Sequence, residues 1–323
     1  MIEVRNLTKR YGGFTAVDNI SFEAHPGQVT GFLGPNGAGK TTTMRMLTGF
    51  MPPTSGTALV AGFDVFEQSM EVRRHIGYLL ENVPLYRDMT PRGYLNYLAE
   101  IRGLPNRRQA VDAALERVGM SDRAGSQIRY LSKGMRQRVG VAQAILHNPD
   151  VLILDEPTIG LDPRQVLELR ALVRDLGRDH TVLFSTHILS EAEQVCDNVV
   201  IINNGQIVAQ GSPTHLRAEL ERGGRVLVRV AGPAEAALAA VQAAPNVASA
   251  ELALDGIVAT PTSPEIDPRP DIARVIVQGG WNLVELRPLA INLEEIFLEL
   301  TRQEELETAT PEAPDTLPES EAA

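Results

Sequence analysis

Apolar and polar positions alternate with period two along much of residues 1–33, which predicts three strands: Ile2–Leu7, Ile20–Glu23 and Gln28–Leu33. Glycines crowd the next stretch, and a helix is predicted from Lys40 to Leu47. Ile76–Leu80 reads as another short strand. From Pro91 to Leu146 the β-branched runs vanish. Leu95, Leu98, Ala99 and Ile101, then Val111, Ala114, Leu115 and Val118, recur at helical spacing instead. This predicts a helical insertion in a domain that is otherwise α/β. Val151–Leu154 and Thr181–Ser185 are short, almost wholly apolar runs of the kind buried on both faces, with a helix predicted between them over Gln165–Leu176. Val199–Asn203 and Gln206–Gln210 form a predicted hairpin about Asn204-Gly205.

Near residue 220 the composition shifts, and Gly223-Gly224 opens a stretch rich in alanine and poor in charge. Its pattern predicts strand Arg225–Val230, helix Ala234–Ala243, strand Ala248–Leu254, strand Ile257–Thr260, helix Asp271–Gln278 and strand Trp281–Glu285. That β-α-β-β-α-β order is the split ferredoxin-like pattern, with Asp255-Gly256 as its hairpin turn. In Leu293–Leu300, Leu293, Ile296, Phe297 and Leu300 share one helical face and Glu294, Glu295 and Glu299 the other, which predicts an amphipathic terminal helix. The organisation expected is residues 1–220, with a helical part over about 91–146, then an accessory unit at 221–302 and an acidic disordered tail at 303–323.

Composition narrows the function classes. With 43% apolar and 22% charged residues the chain has material for a real core. The net charge of −11 is uneven: residues 303–323 hold seven Asp or Glu and no Lys or Arg, leaving −4 for the first 302. An acidic chain without a basic block is a poor partner for nucleic acid, whose affinity comes from phosphate neutralisation. The single cysteine, Cys196, cannot form an intramolecular disulfide and fits a reducing compartment, as a small core hydrophobe. Met1–Arg5 shows no basic-then-apolar leader, and no run approaches the roughly 18–20 apolar residues that span a bilayer. Any membrane work is therefore expected to pass through a partner.

Against this background two segments carry chemistry. Gly34-Pro35-Asn36-Gly37-Ala38-Gly39-Lys40-Thr41 fits the G-x-x-x-x-G-K-[ST] pattern, between a predicted strand and a predicted helix. Glycines let successive N–H groups turn inward as an anion nest, and the helix start adds its positive end. Lys40 is expected to project from a solvated loop to the β/γ-phosphates of a nucleotide, Thr41 to ligate Mg²⁺, and Thr42 to continue the cradle. The second segment begins 114 residues after Thr41, where the strand Val151–Leu154 ends in Asp155-Glu156. Such adjacent carboxylates belong at a strand end facing polar cargo, because buried unpaired charges are costly. Asp155 suits the metal, and Glu156 suits activation of an attacking water.

With these residues in place, residues 2–220 resemble the nucleotide-binding subunits of ABC transporters. Leu131-Ser132-Lys133-Gly134-Met135 resembles the signature usually written Leu-Ser-Gly-Gly-Gln, with Lys133 and Met135 departing from the commonest form. A plain helix cap would use Ser132 in the same way. In the family the signature completes the ATP site of the partner subunit, so the resemblance implies a head-to-tail pair, homodimer or heterodimer, sandwiching two nucleotides. Gly160-Leu161-Asp162-Pro163 resembles the D-loop, which places Asp162 at that interface. His187 resembles the switch histidine that contacts the γ-phosphate, and Tyr11 the aromatic that stacks on adenine, a position that ordinary edge packing would also explain. Where most family members have the Q-loop glutamine this chain has Glu81. Both side chains offer an oxygen to Mg²⁺, but Glu adds a charge and lacks the amide donor, and a salt bridge to a nearby arginine is the alternative reading.

The stretch Asn82–Tyr86 and the Leu-Glu-Glu-Ile-Phe segment at Leu293–Phe297 resemble the ABC-2 export type, the drug-export and gliding-motility subunits. The resemblance implies an α/β P-loop NTPase core of the ABC ATPase type with a helical subdomain, followed by a small C-terminal α+β, ferredoxin-like domain. It implies ATP and Mg²⁺ as cofactors, a separate transmembrane permease facing residues 81–146, and a place on the inner face of the cell membrane. A soluble ABC ATPase of DNA repair or translation is the rival; those typically carry two cassettes or a long coiled-coil insertion, and this chain has one cassette and a short insertion. A regulatory sensor without turnover is a third reading, against which Glu156 stands.

Overall fold

The computed structural model describes residues 1–216, 225–232, 234–253, 255–263 and 266–288. The predicted helix Leu293–Leu300, the acidic tail, Gly223-Gly224 and Leu254 lie outside the described residues. The chain divides into two compact units, Met1–Gly223 and Gly224–Ala323.

The first unit holds two sheets. In one, β1 (Ile2–Tyr11), β2 (Phe14–Ala24), β4 (Ser55–Val60) and β5 (Phe63–Asp64) lie in the order β2-β1-β4-β5, antiparallel throughout. The other runs β10-β9-β3-β8-β7-β6, from β3 (Val29–Leu33), β6 (Ile76–Leu79), β7 (Val151–Leu154), β8 (Thr181–Thr186), β9 (Asn198–Asn203) and β10 (Gln206–Gly211). Five of these strands are parallel, and β10 closes the edge antiparallel to β9. Every residue of β3, β7 and β8 is buried, as continuous apolar runs require in a parallel sheet covered on both faces. A shared core joins Ile2, Val4 and Leu7 of β1 to Phe32, Ile153 and Leu183 of the parallel sheet and to Met44, Met46 and Leu47 of α1 (Lys40–Leu47).

Between β6 and β7 the chain is helical: α3 (Pro91–Ile101), α4 (Arg107–Arg117) and α5 (Lys133–Ile145), with two short 3-10 turns; α2 (Ser69–His75) precedes β6. Thr90 caps α3 by accepting the Gly93 N–H at 3.1 Å, with Pro91 preorganised behind it. Helices α6 (Pro163–Gly177) and α7 (Leu189–Val195) flank β8 in sequence.

Several elements differ from the pattern-based expectation. Strand β1 continues past Leu7 to Tyr11, and β2 begins at Phe14. The polar stretch stays extended because Lys9, Arg10 and Tyr11 pair with Val17, Thr15 and Phe14 across the Gly12-Gly13 turn. Strand β4, absent from the expected set, is held by pairing with β1, Ile2 opposite Val60.

In the second unit β11 (Val226–Val230), α8 (Ala234–Gln242), β12 (Val247–Ala253), β13 (Gly256–Pro261), α9 (Arg269–Gln278) and β14 (Leu283–Pro288) form an antiparallel sheet ordered β12-β13-β11-β14. That order is the ferredoxin-like arrangement. Val226, Val228 and Ile257 of the sheet pack with Ala237, Val241, Ile272 and Ile276 of the two helices. The last strand starts at Leu283 rather than Trp281, because the Trp281 N–H closes the end of α9 on Ile276 O at 3.1 Å while its ring packs against the same core.

Candidate nucleotide site

The parallel sheet gathers the chemistry at one end. Moving across β3, β8, β7 and β6, adjacent in that order, the residues just past the carboxyl ends are the Gly34–Thr41 loop, His187, Asp155-Glu156 and Glu81. Residues far apart in sequence, from Gly34 to His187, thus meet along one edge, the usual ligand crevice of an open α/β sheet.

The loop after β3 has the backbone its glycines permit. Gly37 and Gly39 adopt left-handed conformations, φ 87° and 105°. A Cβ on Gly34 would stand 2.3 Å from Ile202 O, so the close approach to β9 admits no side chain. Gly39 is the N-cap of α1 and supplies no side-chain acceptor, and the first turn holds no acidic residue. The first N–H groups of α1 are therefore left to an external anion.

Lys40 departs from the expectation of a solvated loop. It is buried, donating from Nζ to Gly34 O at 2.7 Å and Pro35 O at 3.0 Å, with Glu156 Oε1 at 3.4 Å. The loop curls its own carbonyls around the ammonium, which fixes the cation beside the nest.

Across the cleft, Asp155 is 2% exposed, and its Oδ1 accepts the Ser185 hydroxyl at 2.7 Å. Burial pushes its carboxyl above the ordinary value and the Ser185 bond opposes this; the charges of Glu156 and Glu81 add to the rise and Lys40 reduces it. Such a carboxylate gains from an added cation. Glu156 has φ 45°, a left-handed backbone uncommon for a residue with a Cβ, and its N–H donates to Ser185 Oγ at 2.9 Å. Its Oε2 lies 2.9 Å from His187 Nδ1, the partner for a proton on that nitrogen, while its Oε1 is buried with no hydrogen bond.

A cavity of about 310 Å³ opens over these groups, lined by Tyr11, Phe14, Ala16, Pro35, Asn36, Gly37, Gly39, Lys40, Thr41, Thr42, Glu81 and Glu156. Tyr11 is half-exposed at its rim; its hydroxyl donates to Met51 Sδ at 3.1 Å, and Lys9 Nζ lies 5.4 Å from the ring centroid. Gly34, Ala38, Asp155 and His187 are not among the residues that line it. Phe14 is the residue the sequence pattern did not single out: it sits opposite Tyr11 across the Gly12-Gly13 turn, and its 64% exposure puts a second aromatic ring at the rim. Two rings flanking a paired-glycine turn is the signal that could have found it.

The signature segment is elsewhere on the unit. Ser132 caps α5, its Oγ accepting the Met135 N–H at 3.2 Å, and Gly134 is buried where a Cβ would meet the Gln165 side chain at 2.5 Å. Leu131 is buried and Lys133 exposed. Asp162 caps α6 by accepting the Gln165 N–H at 2.9 Å. None of Leu131–Met135, nor Asp162, lines the cavity in the same chain.

The residues present fit a nucleoside triphosphate, with an anion nest, a fixed ammonium and aromatic rings at the rim. They also fit Mg²⁺, because Thr41, Asp155 and Glu81 offer hard hydroxyl and carboxylate oxygens.

Comparison with known proteins bears on the same residues. The ABC transporter family model matches residues 17–159. The ABC transporter ATP-binding protein YhcH of Bacillus subtilis is 34% identical over 311 residues, covering 93% of this chain and 96% of that one. The bacitracin transport ATP-binding protein BcrA of Bacillus licheniformis is 34% identical over 302 residues, covering 93% and 97%. Among solved structures, an ATP-binding subunit of an ABC transporter superposes with TM-score 0.62 at 31% identity, covering 68% of this chain and 92% of that chain.

Proposed function

The chain belongs to the ABC transporter ATP-binding proteins, the ATPases of transport systems that include export and resistance, and from that premise we propose that it powers export through a separate permease by ATP-driven closure of a dimer. The observation that carries the reading is the meeting of the loop after β3 with Asp155, Glu156, His187 and Glu81 at the carboxyl ends of four adjacent strands.

In this reading the Gly34–Thr42 loop and Lys40 hold the phosphates, Tyr11 receives the adenine, and Thr41, Asp155 and Glu81 hold Mg²⁺. The metal, when bound, neutralises phosphate charge. Glu156 takes the proton of the attacking water, and Oε1, buried without a hydrogen bond and ion-paired with Lys40 at 3.4 Å, becomes available for it once a phosphate takes that lysine. His187, whose Nδ1 lies 2.9 Å from Glu156 Oε2, holds that carboxylate in place. Leu131–Met135 and Asp162 act on the nucleotide of the partner subunit; their absence from the cavity wall of their own chain supports this.

Among the described residues no helix is long and apolar enough to cross a membrane. The pathway is assigned to another chain, with this one held against it on the cytoplasmic side. A cavity of about 640 Å³ beside Glu81, lined by Phe50, Ile76, Tyr78 and Leu80 together with Arg102 and Gln143, supports docking of permease loops there. The unit after residue 223, a four-stranded sheet packed with two helices, is assigned to dimer assembly and partner coupling. The test is co-expression of the tagged chain with a candidate membrane protein encoded beside it. Co-purification, with ATP hydrolysis altered by the partner, is expected; a chain that hydrolyses ATP identically with and without every such partner points instead to a soluble regulatory or mechanical ATPase.

A further inference from the structure

Behind the nucleotide cavity lies a buried carboxylate that the reading above does not use. Glu191, on α7, is 2% exposed and lines none of the cavity. Its Oε2 accepts two hydroxyls, from Thr158 at 2.7 Å and from Thr186 at 3.0 Å. Its Oε1 lies 3.3 Å from Nη2 of Arg170, on α6, and Arg170 Nη1 donates in turn to Gln194 at 2.7 Å. Thr158 and Thr186 are both buried, so neither hydroxyl has water as an alternative partner.

The two threonines belong to the turn after β7 and to the end of β8. Thr158 follows Glu156 by two residues, inside the turn that Ile159 N–H closes on Glu156 O at 3.2 Å. Thr186 separates Ser185, which bonds both Asp155 and the Glu156 N–H, from His187, which meets the Glu156 carboxylate. Thr186 Oγ1 also accepts the Ile188 N–H at 3.0 Å, so it fixes the backbone on the far side of His187. One carboxylate oxygen therefore joins the loop after β7 to the last residue of β8, next in sequence to His187. The left-handed backbone at Glu156 persists only if its surroundings hold it there, and this clasp adds to the Ser185 and His187 contacts a further tie between the two segments.

We infer that Glu191 is a positioning residue for hydrolysis: with Thr158 and Thr186 it sets Glu156 and His187 in register, and through Arg170 it carries that register to α6, the helix that Asp162 caps. The inference rests on the reading of Glu156 as the residue that activates water. Because the clasp meets a carboxylate rather than the nucleotide, it acts on turnover and not on nucleotide affinity.

The experiment is steady-state ATP hydrolysis and nucleotide binding by the full chain carrying Thr158→Val, Thr186→Val or both, alongside Glu156→Gln. Valine keeps the shape and puts a methyl in place of the hydroxyl, which avoids stranding Arg170 as Glu191→Ala would; at 186 it also releases the Ile188 N–H, so Thr158→Val is the cleaner of the two. Each single variant should lower kcat by about tenfold to a hundredfold, the scale of a small misplacement at a reacting centre, with KM and nucleotide affinity within about twofold of the parent. The double variant should lose little more than the worse single, because opening either side of a clasp releases the same register. Thr158→Ser and Thr186→Ser, which restore the hydroxyl, should recover most of the turnover. Folded valine variants with parental kcat, or losses that multiply and are matched by a rise in KM, overturn the inference. Parental turnover by Glu156→Gln overturns it together with the reading it rests on.

Discussion

The Lys40 ammonium lies 3.4 Å from Glu156 Oε1, and both side chains are more than nine-tenths buried. The cation assigned to phosphate and the carboxylate assigned to water thus meet directly in the wall of the cavity they both line. Each compensates the charge of the other in a place where an unpaired ion is costly. A phosphate entering the nest competes with Glu156 for Lys40, which frees Glu156 Oε1 to meet the attacking water.

Lys40→Ala should abolish hydrolysis and weaken nucleotide binding by about 10- to 100-fold, the worth of a charge-assisted contact to phosphate. Because Lys40 is buried against its own loop, the nucleotide-free variant should also be less stable, by about 1–3 kcal/mol, with Glu156 Oε1 left without its cation. Binding titrations and denaturant unfolding read the two effects separately. Full turnover by the folded variant removes the loop assignment.

Glu156→Gln should retain nucleotide binding within a few-fold, while hydrolysis falls by about 10²–10⁴. The amide oxygen can still accept from His187, so the geometry survives, but an amide takes no proton from water. A dimer that forms only transiently in the parent should then accumulate with ATP and Mg²⁺, visible by light scattering. A variant that stays monomeric even with the membrane partner present counts against the sandwich.

Burial, with the charge of Arg102 adding, depresses the pKa of His147 to about 4, while its Nε2 lies 3.1 Å from Ile76 O and its Nδ1 has no partner. The folded chain keeps this imidazole neutral where the unfolded chain, at an ordinary pKa near 6.5, takes up a proton. Its contribution to stability is therefore fully present above about pH 6.5 and is lost as the pH falls from there toward 4. Allowing for its partial exposure, the loss should be about 1–3 kcal/mol. His147→Gln, which keeps a donor for Ile76 O, should flatten that acid limb of the stability curve; an unchanged limb places the acid sensitivity elsewhere.

How much of this was legible in the sequence depends on whether the signal is local. The Gly34–Thr41 loop is contiguous, its spacing dictated by a backbone that only glycine reaches, and Asp155-Glu156 ends an unbroken apolar strand. The other sheet was less visible. The end of β1 is polar and β4 has only the short apolar run Ala58–Val60, so both depend on cross-strand pairing. The burial of Lys40 follows from carbonyls the loop turns back on itself, which spacing does not reveal. Glu191 was missed for the same reason: an acidic residue on a short helix looks solvated until Thr158, Thr186 and Arg170 are brought around it.

A chain ending at residue 220 should still bind ATP, because the first unit holds its core and every residue of the cavity wall. It should lose stable assembly or transport if the second unit tunes the dimer. Loss of solubility and melting temperature alone, with transport intact, would show that the second unit serves packing only.

The arrangement of Ser132 sets the sharpest test of the dimer. Ser132 is exposed at the start of α5, its hydroxyl turned to the Met135 N–H, and it lines no part of the cavity of its own chain. Ser132→Arg should therefore leave nucleotide binding at the variant's own loop unchanged and stop turnover, because the bulky cation fills the place of a γ-phosphate bound by the partner. Mixing Ser132→Arg with Lys40→Ala separates action within a chain from action across the interface. In such a heterodimer one composite site combines a damaged loop with a damaged signature, and the other combines an intact loop with an intact signature. Acting across the interface, Ser132 leaves one whole site, so the mixture should regain activity that neither homodimer shows, if the two sites fire independently. Acting within the chain, it leaves both sites damaged, and the mixture should match the average of the two homodimers. That average, measured with the heterodimer isolated by two different tags, would falsify the assignment of the signature to the partner's nucleotide.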